Sequence, residues 1–364
     1  MKINFHLSQT FRVIILSISF GLIAGFLGLV IFGLNNFKIP FLGTINYADP
    51  NLNQNVVIQQ PRSVILEQDL QIQKLETTLL PTMLNVYTQK KQSNDPLSSA
   101  YSEQDLLGRA FALTSDGWLI TSANVINNNK LKYLVVGYQN KAYETKEIVL
   151  DSATGLTFIK IDASNQPVAK IGSSNNLHVG QTIGLVSSRH SLSLSNIAKI
   201  GYSLSTNKNL IFNSDILNKR IYLTSIGADS DDGSILVNLK GEVIGIVVGD
   251  GIVPVDSFEP VINQLLGNKK IVRPSLDIDY IDLSQVDGVV KWGDKGAYVV
   301  YEPIKGTAGY GLIKKSDVIK KVNDRELNSF VSLSEAISQF KVGDRIDLLV
   351  SRGGQDIAIQ VILK

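Results

Sequence analysis

The chain has 364 residues, 44% apolar and 19% charged, with a formal charge of +2. That is material for two folded domains plus connecting segments, and the absence of a basic run interleaved with aromatics argues against a nucleic-acid partner. Cysteine is absent and the three histidines, His6, His178 and His190, are scattered, which excludes thiol nucleophiles and disulfides and leaves little basis for a bound metal; no cofactor is expected.

Residues 1–12 carry Lys2 and Arg12, and from Val13 to Leu34 no charge occurs. About 22 uncharged residues suffice to cross a hydrocarbon core of ~30 Å as a helix. The stretch is longer than the apolar region of a signal peptide, and no small-residue cleavage site follows it. With only Lys38 close behind, the charges predict a single-pass cell-membrane protein, its N-terminus inside and its body extracytoplasmic. Gly21 and Gly25 form a G-x-x-x-G that suits helix pairing but is also common in unpaired membrane helices. Residues 35–62 are rich in Asn, Gln and Pro and read as a linker. Ser63 predicts the cap of a helix over 63–80, with Ile65, Ile72, Leu75 and Leu79 along one stripe. The stripe suits packing on the next domain or a short coiled coil.

From 81 to 268 the pattern changes to short apolar runs between Gly, Asn, Asp and Ser. Met83–Tyr87, Trp118–Thr121, Tyr133–Val136, Leu156–Ile161, Thr182–Val186, Ile221–Thr224 and Val243–Val248 read as strands of an all-β barrel or sandwich. Pro260–Leu266 reads as a short helix. Residues 271–364 predict a small α+β module, with strands at Gly296–Tyr301, Asp347–Arg352 and Ile357–Leu363. Its helix is expected at Ser332–Phe340, from the spacing of Leu333, Ala336, Ile337 and Phe340.

Four segments in order, GRAFALTSDGWLITSANVI (108–126), LDSATGLTFIKID (150–162), IGSSNNLHVGQTIGLV (171–186) and TSIGADSDDGSILVNLKGEVIGI (224–246), resemble the HtrA/Deg family of exported trypsin-like serine proteases with PDZ domains. The resemblance implies a mainly β fold, a trypsin-like double β-barrel followed by an α+β PDZ domain. Where the family writes T-N-N/A-H-V-V/I, this chain has Thr121-Ser122-Ala123-Asn124-Val125-Ile126, so Asn124 stands at the histidine position. Gly155 stands at the orienting aspartate and Asp232 at the nucleophile. A Ser-His-Asp relay needs a hydroxyl, an imidazole to take its proton and a carboxylate to orient the imidazole. Ser230, Asp231 and Asp232 also replace the glycine-rich turn that shapes an oxyanion hole. The resemblance thus implies a pseudoprotease with no catalytic residues, not an enzyme. Its rival is an endopeptidase using non-family residues, with Ser230 or Ser234 beside His190. The acidic run Asp229, Asp231 and Asp232 reads as a solvated loop or, less in keeping with ligand spacing, a calcium site.

GAYVVYEPIKGTAGYGLIKKSDVIKKVNDREL (296–327) and the following LSEAISQFKVGDRIDLLVSRGGQ resemble a PDZ domain. Such domains add an extended peptide as a strand and hold its carboxylate in a loop of free N–H groups. The resemblance places that loop at Ser275, Leu276, Asp277 and Ile278, with Leu333 and Ile337 facing the groove from the helix. Asp277 stands where the family prefers glycine, and its charge is expected to oppose an anionic peptide end. The functional expectation is an HtrA-like protein that binds polypeptide segments or partner proteins outside the membrane, in protein quality control. It would act alone, as a homo-oligomer or beside an active relative. A structural envelope protein is the remaining alternative.

Overall fold

A computed structural model describes residues 9–34, 62–91, 94–126, 128, 132–188, 191–202, 210–225, 232–286 and 295–364. The chain divides into two units, Met1–Arg62 and Ser63–Lys364. In the first unit, helix α1 covers Gln9–Leu34. The side chains described between Val13 and Leu27 are exposed. Among the described residues no helix is long and apolar enough to cross a membrane, so the expected transmembrane helix at 13–34 is not supported. The linker expected at 35–62 lies, but for Arg62, outside the described residues.

Helix α2, Arg62–Leu79, leads into the second unit. Leu75 and Leu79 are buried in one cluster with Met83, Phe111, Phe158, Val243 and Phe258, so the C-terminal end of the stripe packs on the β-rich body, while Ile72 is half-buried and the Ile65 side chain lies outside those described. Burial of each leucine contributes roughly 2 kcal/mol.

Strands β1 (Met83–Thr88), β2 (Leu106–Ala112), β3 (Trp118–Ser122), β4 (Tyr133–Val136), β5 (Ala142–Asp151) and β6 (Leu156–Ile161) close a barrel in the order β1-β2-β3-β6-β5-β4. A one-turn helix α3, Pro96–Ser99, lies between β1 and β2. Every residue of β3 is buried, and the twofold period of a strand explains how. Leu119 faces the interior of this barrel with Leu84, Val135 and Ile159, whereas Trp118 and Ile120 face the cluster that α2 covers.

Next come β7 (Lys170–Ile171), β8 (Thr182–Ser188), β9 (Ser191–Tyr202), β10 (Ile211–Asn213), β11 (Lys219–Leu223), β12 (Ile235–Val237), β13 (Glu242–Val248) and β14 (Gly251–Pro254). The order β12-β8-β9-β11-β14-β13 returns on itself because β12 also pairs with β13, and β7 joins β13 in parallel. Ile183, Leu185, Ile221, Ile244 and Ile252 fill this second ring. Ile235, Val237, Val243 and Ile246 meet Phe111, Phe158 and Leu156 in the shared cluster, giving two barrels on a common apolar seam. Helix α4, Glu259–Asn268, buries Val261 and Leu265 there and ends on Lys269 in the left-handed region at φ 54.

The C-terminal part contains β15 (Asp279–Asp282), β16 (Ala297–Val299), β17 (Val318–Val322), β18 (Arg325–Glu326), α5 (Leu333–Ile337), β19 (Arg345–Arg352) and β20 (Gln355–Ile362). Ser332 and Glu335 form a reciprocal capping box at the start of α5, which explains why the helix begins there. It is shorter than the expected 332–340: the chain leaves it at Ser338, and the Phe340 N–H turns back to the Ile337 carbonyl at 3.0 Å. The sheet order is β10-β15-β16-β17-β19-β20, with β18 on β17. Its first strand, β10, belongs in sequence to the second barrel.

Candidate functional site

Three turns converge at the barrels. Asn124 follows β3, Gly155 precedes β6 and Asp232 precedes β12. The Ala123 N–H donates to the Gly155 carbonyl at 2.8 Å, which fixes the first two turns against each other. Asn124 Nδ2 donates to Asp232 Oδ2 at 3.0 Å, and the Gly249 N–H donates to Asp232 Oδ1 at 2.6 Å. The Asp232 turn is pinned from below: its carbonyl accepts the Arg109 N–H at 2.8 Å, and the Gly233 N–H reaches the Val247 carbonyl at 2.9 Å. Gly233 lies at φ +86 with the Arg109 carbonyl where a Cβ would be, so the turn needs glycine.

The structure thus brings Asn124, Gly155 and Asp232 to one place. Of the three, only Asp232 carries an ionisable side chain, and donors hold both its oxygens. An amide is no base near neutral pH, so a Ser-His relay does not form from these side chains. Ser234 is described and buried. Asp229, Ser230, Asp231 and His190 lie outside the described residues. Among the described residues no group of three or more acidic or histidine side chains is placed to hold a metal.

The second candidate lies between β15 and α5. Leu276, Ile278, Leu333 and Ile337 are 0%, 1%, 0% and 1% exposed. The sequence places them beside an open groove; in the structure they lie in one buried cluster with Tyr202 and Phe212. Burial pushes the Tyr280 hydroxyl up to about 12. Burial likewise pushes Tyr202 well above the usual tyrosine range, helped by Glu335, to which its hydroxyl donates. Tyr202 also accepts the Ser332 N–H at 3.1 Å.

Asp277 adopts φ 53, the left-handed conformation that explains the preference for glycine at this position. The loop's N–H groups are already engaged: those of Leu276 and Asp277 donate to Asp215 Oδ1, at 3.0 Å each, and that of Ile278 to Ser214 Oγ at 3.0 Å. Sequence reasoning missed Phe212, Ser214 and Asp215. The local signal was the apolar run Leu210–Phe212 between polar neighbours.

Residues 108–246 match the trypsin-like peptidase domain and residues 280–363 the PDZ domain. The chain is 27% identical over 270 residues to "Serine protease Do-like HtrA" of Lactobacillus helveticus, covering 68% of this chain and 65% of that one. It is 27% identical over 282 residues to "Serine protease Do-like HtrB" of Bacillus subtilis (strain 168), covering 70% and 61%. With a "Probable periplasmic serine endoprotease DegP-like" of Pseudomonas savastanoi pv. phaseolicola it shares 28% over 343 residues, covering 86% and 68%. The chain therefore spans less than two thirds of the length of the first two relatives. Among solved structures, "HtrA-type protease AlgW with tripeptide" aligns with a TM-score of 0.59 at 19% identity, over 80% of this chain and 96% of that one. The same protein "with decapeptide" gives 0.58 at 18%, over 79% and 97%; at these identities the likeness is one of fold.

Fold and matches together define a trypsin-like peptidase domain followed by a PDZ domain. Over 68–86% of its length the chain is similar to proteins of the HtrA and DegP type. The expectation that it is not an enzyme is corrected by these relatives, which are named serine proteases and serine endoproteases.

Proposed function

We propose that this HtrA-type protein binds extended polypeptide segments outside the membrane, in protein quality control, through the groove of Ser275–Ile278, Leu333 and Ile337. The single observation that carries the reading is the pair of convergent N–H donors at Leu276 and Asp277, which already holds a carboxylate and lies at the end of a strand that accepts a partner strand. The titles of the AlgW structures, which name bound peptides, support the same use of a related fold. Anchoring by the apolar segment 13–34 with an extracytoplasmic body is supported by the charge bias of the sequence and by relatives named periplasmic.

The test is a titration of the full chain, in mild detergent, into fluorescently labelled unfolded casein. Saturable binding is expected, and its absence at tens of micromolar protein sinks the reading. A second reading, peptide-bond hydrolysis, is favoured by the match to a peptidase domain and by the relatives' names. The same mixtures resolved on a gel examine it. Time-dependent casein fragments that vanish in an Asp232→Ala or Ser234→Ala variant would place hydrolysis at this centre.

A further inference from the structure

The peptide groove has an occupant drawn from the chain itself. Strand β10 pairs antiparallel with β15, with Ile211 opposite Ile281, Phe212 opposite Tyr280 and Asn213 opposite Asp279. That register runs the segment toward the loop at 275–278. The Ser214 N–H continues the ladder to the Ile278 carbonyl at 2.9 Å. Phe212 is buried, its ring 6.0 Å from that of Tyr280 and 6.5 Å from that of Tyr202, in the cluster that holds Leu276, Ile278, Leu333 and Ile337.

At the end of the strand the Asp215 carboxylate takes the Leu276 and Asp277 N–H groups on Oδ1 and the Ser275 hydroxyl on Oδ2. Asn213 Nδ2 donates to Asp279 Oδ1 at 3.0 Å and to Asp277 Oδ1 at 3.4 Å, which supplies donors beside two of the acidic groups flanking the groove. Backbone pairing, an apolar side chain in the groove and a carboxylate on the N–H loop are the three elements by which such a groove takes a peptide.

We propose that Ile211–Asp215 is a built-in ligand of the PDZ groove, and that the external ligand it excludes resembles it. That ligand is an extended segment with an aromatic side chain followed, three residues on, by a carboxylate. The inference rests on the polypeptide-binding reading of the same groove and narrows it to a ligand class. The carboxylate can come from a side chain or from a free C-terminus, since the loop recognises only the anionic oxygens. Because the occupant is tethered at both ends, an external peptide competes against a high local concentration and binds the native chain weakly.

The experiment uses the full chain and the N-terminally labelled peptide Leu-Ile-Phe-Asn-Ser-Asp with an amidated end, followed by fluorescence anisotropy. Asp215→Ala removes the internal carboxylate and is expected to tighten binding at least tenfold over the unaltered chain. Replacing the peptide's Phe with Ala is expected to weaken binding to that variant at least tenfold. Replacing its Asp with Asn should do the same when the end is amidated. The Asn peptide with a free acid end then separates the sources: binding restored means that a C-terminus serves, and binding still lost means that only a side chain does.

Equal affinities for Asp215→Ala and the unaltered chain overturn the proposal, as does indifference to the peptide's Phe. Should Asp215→Ala not fold, hydrogen exchange on the unaltered chain decides. Saturating peptide is expected to speed exchange at the Ser214 amide while the β15 amides stay protected; an unchanged Ser214 rate with peptide bound overturns the proposal. If casein fails to bind but Asp215→Ala takes the peptide, binding of unfolded chains by the native protein falls, while the groove and its built-in ligand stand. Casein binding with no effect of Asp215→Ala on the peptide sinks this one alone.

Discussion

Arg273 sits in the segment between α4 and β15 and reaches back to the first barrel. Its Nε and Nη2 donate to the two Asp151 oxygens at 2.8 and 2.7 Å, and Nη2 also donates to the Ser257 carbonyl at 2.8 Å. The Asp151 side chain is 2% exposed and that of Arg273 15%. A buried pair is not by itself strong evidence of net stabilisation, but removing one partner strands the other charge. Arg273→Ala is expected to lower unfolding free energy by about 3 kcal/mol in a denaturant titration; a loss under ~1 kcal/mol would show that water reaches Asp151. Asp282 has the opposite problem. Burial pushes its carboxyl above the ordinary value of 3.8, against the Ser284 N–H and hydroxyl that donate to it. A carboxyl whose folded pKa is raised favours folding when protonated. That contribution is full below 3.8 and is lost as pH rises through the folded value. Asp282→Asn keeps the acceptor oxygen without the charge. It is expected to raise the melting temperature by about 2–4 °C at pH 7 and to leave it unchanged at pH 3. An equal gain at both pH values would mean that the charge is irrelevant.

At the scale of elements, the Asp232 turn depends on a close backbone approach. A Cβ on Gly233 would lie 1.7 Å from the Arg109 carbonyl oxygen and 2.7 Å from Thr121 Oγ1. Neither strand can retreat without breaking its barrel, so Gly233→Ala is expected to cost more than about 4 kcal/mol. Loss of cooperative unfolding in calorimetry is the expected signature; a melting temperature within a few degrees of the parent would mean the turn can re-route. Elements with a periodic signal were legible in the sequence. The alternating run at β19 places Ile346, Leu348 and Val350 inward, and Leu75 and Leu79 lie one helical turn apart on α2. The meeting of Asn124 with Asp232 was legible only as shared motif positions, since no local rule joins residues 108 apart in sequence. Strand β10 was legible only as a short apolar run, without its partner. Three residues, Ile211–Asn213, are too few for a period, and their partner lies beyond the next four strands in the chain. The open groove expected beside Leu333 and Ile337 failed for the same reason, because what covers it comes from an element that carries no motif.

At the scale of the whole molecule, β10 makes the boundary between modules in sequence differ from the boundary in space. The sheet completed by residues 279–362 takes its first strand from residue 211 onward, so Ile211–Asn213 leave the ribosome before their partners Asp279–Ile281. The β15 edge thus pairs with a strand that precedes it in the chain. Severed from that strand, the C-terminal module lacks the partner of β15. A fragment 271–364 would leave one side of β15 unpaired and uncover Tyr280, Leu276 and Ile278, an apolar edge that invites self-association. It is expected to melt lower than the same residues in the intact chain, with the peptide Leu-Ile-Phe-Asn-Ser-Asp restoring part of the difference in trans. A fragment that melts as high as the intact chain and ignores the peptide would show that the module is autonomous. Shuffling of such a module is correspondingly constrained: moved without Ile211–Asn213, it leaves that side of β15 unpaired.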